Sequence, residues 1–155
     1  MRPRLFTLVV LVAGLSALAI GAPAVAGPSG ADEGTACVFT TQLRAGNEVP
    51  TSNSTAFGHT QIKVRNDGTI EYQTLINNPA NESFTAGHIH LAPAGTPGPV
   101  VQTLNFAPSS ASLIMDSGSV SNPTLGAAIC ADPPAYYVNY HTTVNPAGAV
   151  RGQLG

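Results

Sequence analysis

Gly87-His88-Ile89-His90-Leu91 and Tyr140-His141-Thr142 carry three of the chain's four histidines. Imidazole is the commonest protein ligand for transition metals, so these runs are where chemistry is to be sought first. Both have strand character, and alternate side chains of a strand share a face. His88 and His90 therefore project to one side, roughly 7 Å apart along the strand. A third imidazole from another strand would complete a nitrogen cage suited to copper or zinc. His141 is the expected third ligand: it shares parity with Tyr137 and Asn139, whereas Tyr136, Val138 and Tyr140 face the other way. His59 follows Gly58 at a strand start, with parity opposite to Ile62 and Val64, and is a fourth, more exposed candidate. The competing reading is a hydrogen-bonded network of polar side chains on a sheet, which an i, i+2 histidine pair alone does not exclude. If a metal is bound, uptake should weaken below about pH 6, because each imidazole must lose its proton to coordinate.

Other chemistries find little support. There is no G-x-S-x-G nucleophile elbow and no glycine-rich phosphate loop, and Glu48, Glu71 and Glu82 have no context that marks a carboxylate pair. Glu48 and Arg151 stand out in a chain with few charges. A guanidinium on the last strand could donate a bidentate bond to a loop carboxylate and lock the loop to the sheet, a structural ion pair. Asn53-Ser54-Thr55 and Asn81-Glu82-Ser83 match the glycosylation acceptor pattern, a short motif that often matches by chance.

The residues that must position these groups begin after the amino-terminal stretch. Arg2 and Arg4 precede an apolar run from Leu5 to Ile20, and Ala24-Val25-Ala26 supplies a small-x-small cleavage pattern. Residues 1–26 are expected to be a secretory signal peptide, 27–35 a flexible leader and 36–155 one domain; an uncleaved anchor is the competing reading. No Cys at the cleavage point indicates lipidation, and no second apolar stretch reaches the roughly 20 residues that span a bilayer. Export thus implies a secreted product without a membrane span. Removing Arg2 and Arg4 sets four basic against eight acidic residues, a net charge of −4. Such a surface is unsuited to nucleic acid, which needs clustered cations. Cys37 and Cys130 are the only cysteines. An oxidising compartment favours a bridge between them over two thiolate metal ligands, since neither lies in a C-x-x-C or Cys-His cluster.

Strand patterning recurs over 37–43, 57–64, 69–76, 84–91, 100–106, 136–142 and 149–154, with shorter pieces near 113–115 and 120. Asn66-Asp67-Gly68 is a strong hairpin turn. The stretch from Pro93 to Pro99 is too rich in breakers for regular structure, and Pro123 to Ile129 has room for one helical turn. Short strands with almost no helical period predict a single antiparallel β-sandwich.

Four runs occur in order: Leu43-Arg44-Ala45-Gly46-Asn47-Glu48-Val49-Pro50, Gly87-His88-Ile89-His90, Tyr137-Val138-Asn139-Tyr140-His141-Thr142 and Gly148-Ala149-Val150-Arg151-Gly152-Gln153-Leu154. Together they resemble the CHRD domain, the module repeated in chordin and found alone in exported microbial proteins. Ala45, Thr51 and Ala149 depart from the family's usual residues, and none touches the histidines. The resemblance implies an immunoglobulin-like or superoxide-dismutase-like sandwich. It also implies a non-enzymatic extracellular binding module whose partner is an extracellular protein or cell-envelope component. His88-Ile89-His90 is similar to the H-x-H pair at the copper site of copper-zinc superoxide dismutase, so a small copper-dependent redox enzyme is the alternative. The chain lacks the further His and Asp residues of a full dinuclear site.

Overall fold

A computed structural model describes residues 34–155. The expected signal peptide and all but the last two residues of the expected leader lie outside the described residues. Gly34 forms a turn, and Thr35, the last of the expected leader residues, already begins the first strand.

The elements follow as β1 (Thr35–Arg44), β2 (Phe57–Arg65), β3 (Thr69–Asn77), β4 (Phe84–Leu91), β5 (Val100–Thr103), β6 (Leu113–Ser121), α1 (Pro123–Ala131), β7 (Tyr136–Thr142) and β8 (Val150–Gln153). The hairpin between β2 and β3 closes as the Asn-Asp-Gly sequence dictates. Gly68 takes φ +81°, a region closed to most side chains, and the Asp67 carboxylate accepts from the Thr69 amide at 2.8 Å. Helix α1 starts where Asn122 caps it, its side chain accepting from the Leu125 amide at 3.2 Å, with Pro123 in the first position. Leu125 and Ile129 are buried, and Gly126 lets the helix approach Val64 and Gly68 closely. Cys130 on α1 is joined to Cys37 on β1, and no free cysteine remains.

All eight strands belong to one antiparallel sheet in the order β5-β4-β7-β8-β1-β2-β3-β6. The two separate sheets expected of an immunoglobulin-like or superoxide-dismutase-like sandwich are therefore corrected to one curled sheet forming a half-barrel. The physical reason lies in the seam. β8 joins β1 through Arg44↔Arg151, so what would be two leaves are hydrogen-bonded into one ladder. Curling lets the concave sides of both halves bury against each other. Ile62, Val64, Ile70, Tyr72 and Ile76 from β2 and β3 meet Phe84, Ile89, Val138, Tyr140 and Val150 from β4, β7 and β8 in one core. Burying each such side chain contributes about 1.5–3 kcal/mol, and the period of two in β2 and β3 is what aims them inward. The Tyr140 hydroxyl donates to Thr74 Oγ1 at 2.8 Å within this core and lies 3.0 Å from the Asp116 carboxylate. No described helix is long and apolar enough to cross a membrane.

Candidate metal centre

The face of β4, β7 and β8 turned away from the core is polar, and register determines who meets whom there. His88 lies opposite Asn139, which lies opposite Arg151; His90 lies opposite Tyr137, which lies opposite Gln153. His141 falls beside His88 on the same face because Ala86 is its directly paired neighbour. The alternation of two strands thus gathers three imidazoles that are 51 residues apart at closest across the strands (His90 and His141).

Their candidate ligand nitrogens all lie within 4.8 Å of one another. His88 Nδ1 is 2.9 Å from His141 Nε2. His141 Nδ1 is 3.0 Å from the Pro146 carbonyl, and His90 Nδ1 is 2.9 Å from the Gly98 carbonyl. A carbonyl only accepts, so both of those Nδ1 atoms carry the proton, and the lone pairs of His90 and His141 reside on Nε2. Such backbone anchoring of the far nitrogen is how metal-ligating histidines are held in tautomer and orientation. His90 Nε2 is buried without a hydrogen-bond partner.

Electrostatics keep the cluster neutral. Burial, with the neighbouring His141 and His90 adding to it, pushes His88 down to about 4. Burial also lowers His90 against the raising effect of the Gly98 carbonyl and Asn139, and lowers His141 against that of the Pro146 carbonyl. The three rings are therefore deprotonated at neutral pH, the state that coordinates a cation.

Two loops roof the polar face. The breaker-rich segment after β4 is fixed by Arg151, whose guanidinium donates to the Thr96 carbonyl at 2.9 Å and the Pro93 carbonyl at 3.0 Å. Gln153 donates to the Ala92 carbonyl at 2.9 Å. Arg151 also lies 3.4 Å above the Tyr137 ring, which stacks on His90 at 4.7 Å and 12°. The second loop, after β1, is tied down where Asn47 donates to the Arg151 carbonyl at 3.1 Å. It carries Glu48, whose buried carboxyl packs against the Cα of Gly148, where φ is +145° and any Cβ would collide with it. Burial raises Glu48 to about 7, with Arg151 and Asn139 pulling it down.

Glu48 and Arg151 share the roofed face and attract one another. The hydrogen bonds described for the guanidinium, however, go to the Pro93 and Thr96 carbonyls and to Gln153 Oε1, and so hold the opposite loop. His59 is not brought to the cluster; it sits exposed on β2 between Gln42 and Leu75. Sequence reasoning missed the roles of Asn139, Tyr137, Gly98 and Pro146. Strand parity already put the first two on the histidine face, whereas no sequence signal marks a loop carbonyl as an anchor.

The model of the CHRD domain family matches residues 39–154, and the chain belongs to that family. No curated protein and no solved structure matches it.

Proposed function

We propose that this CHRD domain is an exported microbial binding module that takes up one copper or zinc ion through His88, His90 and His141. On this reading residues 1–26 direct secretion and are removed before Gly27. The mature domain then engages an extracellular protein or cell-envelope component through the loops around the metal. The observation that carries the metal assignment is His90, anchored at Nδ1 on the Gly98 carbonyl with its Nε2 buried and unpartnered, beside His88 and His141, whose facing nitrogens lie 2.9 Å apart. A network built only for stability would leave no reason for His90 Nε2 to be buried without a partner.

Three neutral nitrogens leave the ion's charge on the metal and a coordination position for water, an anion or a partner's side chain. Binding and bridging require no more than this. Among the described residues the three histidines are the only metal-ligand group of three or more, so no second metal supports a dismutase-type site. Calorimetric titration of the apo protein with Zn(II) and Cu(II), repeated on His90→Ala and His141→Ala, tests the assignment. Wild type should bind one ion and both variants should lose at least tenfold in affinity. Equal uptake by all three, or no binding below about 100 μM in wild type, returns the cluster to a hydrogen-bonded network.

A further inference from the structure

Among the described residues only four buried side-chain polar atoms lack a hydrogen-bond partner, and three belong to one group: Glu48 Oε1, Asn139 Oδ1 and His90 Nε2. Unpartnered buried polar atoms are rare in folded proteins and call for an explanation. Asn139 Oδ1 is an acceptor, His90 Nε2 is one because its Nδ1 carries the proton, and Glu48 Oε1 is one whenever its carboxyl is ionised. What the group lacks is positive charge or donated hydrogen. The Asn139 amide adjoins both neighbours, close enough to favour the ionised carboxylate of Glu48 and the protonated ring of His90. It lies directly across the ladder from His88. A cation at the three histidines would therefore have Asn139 beside it, with Glu48 next to Asn139.

We propose that Glu48, acting through Asn139, is the positioning residue and counter-charge of the three-histidine site, and that it makes the site selective for a divalent over a monovalent cation. This inference rests on the metal reading above. Arg151 sharpens the need for such a charge. Its guanidinium is fixed over Tyr137, which stacks on His90, and it opposes positive charge on that ring. With Glu48 ionised, the buried pair is neutral and a dication adjacent to it is tolerated. With Glu48 uncharged, the same dication faces an uncompensated guanidinium. A cavity of about 480 Å³ between the two roofing loops is lined by Glu48, Asn47, Gly95 and Arg151.

The test compares Zn(II) and Cu(I) affinities, each by chelator competition, in full-length wild type, Glu48→Gln and Glu48→Gln/Asn139→Asp, with thermal unfolding of each. Glu48→Gln keeps the shape and removes the charge. It should weaken Zn(II) about ten- to a hundredfold, the usual effect of an outer-shell partner, and Cu(I) several-fold less. Asn139→Asp in that background returns a carboxylate beside His90 and should recover most of the lost Zn(II) affinity. His59→Ala, distant from the site, should match wild type for both ions. If Glu48→Gln does not fold, Asn139→Ala gives the same two-metal comparison. Unchanged Zn(II) affinity in a folded Glu48→Gln variant, or equal losses for both ions, overturns the counter-charge role while leaving the metal site intact. Absence of metal binding in wild type overturns the underlying reading instead.

Discussion

Arg151 is the residue on which the roof of the site depends, and replacing it separates a positioned loop from a merely nearby one. It is 2 % exposed, and its guanidinium serves the Thr96 and Pro93 carbonyls, Gln153 Oε1 and the face of Tyr137 together. Hydrogen bonds from a charged donor contribute about 1.5–3 kcal/mol each, and removing one member of a buried charged group leaves its partners unsatisfied, at about 3–5 kcal/mol in total. Arg151→Met should therefore lose about 3–5 kcal/mol in urea unfolding. That is a large part of the roughly 5–15 kcal/mol available to a domain of this size. Arg151→Lys keeps the charge but cannot fork between two carbonyls, and should lose about 1.5–3 kcal/mol. The slope of the urea transition should stay unchanged, since the exposed surface on unfolding is the same. Because Gly98, which anchors His90, lies on the loop that Arg151 holds, its amide should also exchange hydrogen faster in both variants. A Met variant within 1 kcal/mol of wild type would refute the reasoning.

Removing the disulfide as Cys37→Ala/Cys130→Ala should destabilise the apo protein by about 4–5 kcal/mol in the chain-entropy account, since the bridge closes a separation of 93 residues. A loss below about 1 kcal/mol would contradict a role in constraining the unfolded chain. Asn122→Ala should lower stability by about 1 kcal/mol through loss of the cap on Leu125, measured in the same urea experiment. The pH dependence of the apo protein should carry two opposed signatures. His88 folds with its value depressed from 6.5 to about 4, so the unfolded chain binds more protons and stability falls as pH drops through that window. Glu48 folds with its value raised from 4.5 to about 7, so its contribution is present at low pH and lost as pH rises through 7. Glu48→Gln should accordingly gain stability relative to wild type between about pH 5 and about pH 8, and a pH-independent difference would reject that assignment.

The elements that a period of two or a turn motif specifies were legible from the chain alone. The β2–β3 hairpin followed from Asn66-Asp67-Gly68 and the alternating Ile70, Tyr72 and Ile76. The grouping of His88, His90 and His141 followed from parity within two strands. What decided the sheet's closure was not legible, because Arg44 meeting Arg151 is a pairing between distant strands that carries no local signal. The orientation of the histidines depended on the carbonyls of Gly98 and Pro146, contributed by loops whose composition says only that they are irregular. Arg151 illustrates the same limit. Its scarcity marked it as a residue with a partner, but a guanidinium bonds as readily to carbonyls as to a carboxylate, and only the loop's path selects between them.

X-ray absorption of the protein loaded with one equivalent of Zn(II) addresses the three-histidine centre at the metal itself. The account predicts a first shell of three imidazole nitrogens at about 2.0–2.1 Å with one further light-atom ligand, and the loss of one imidazole in His90→Ala. A shell dominated by oxygen, or one that is unchanged in His90→Ala, would contradict it.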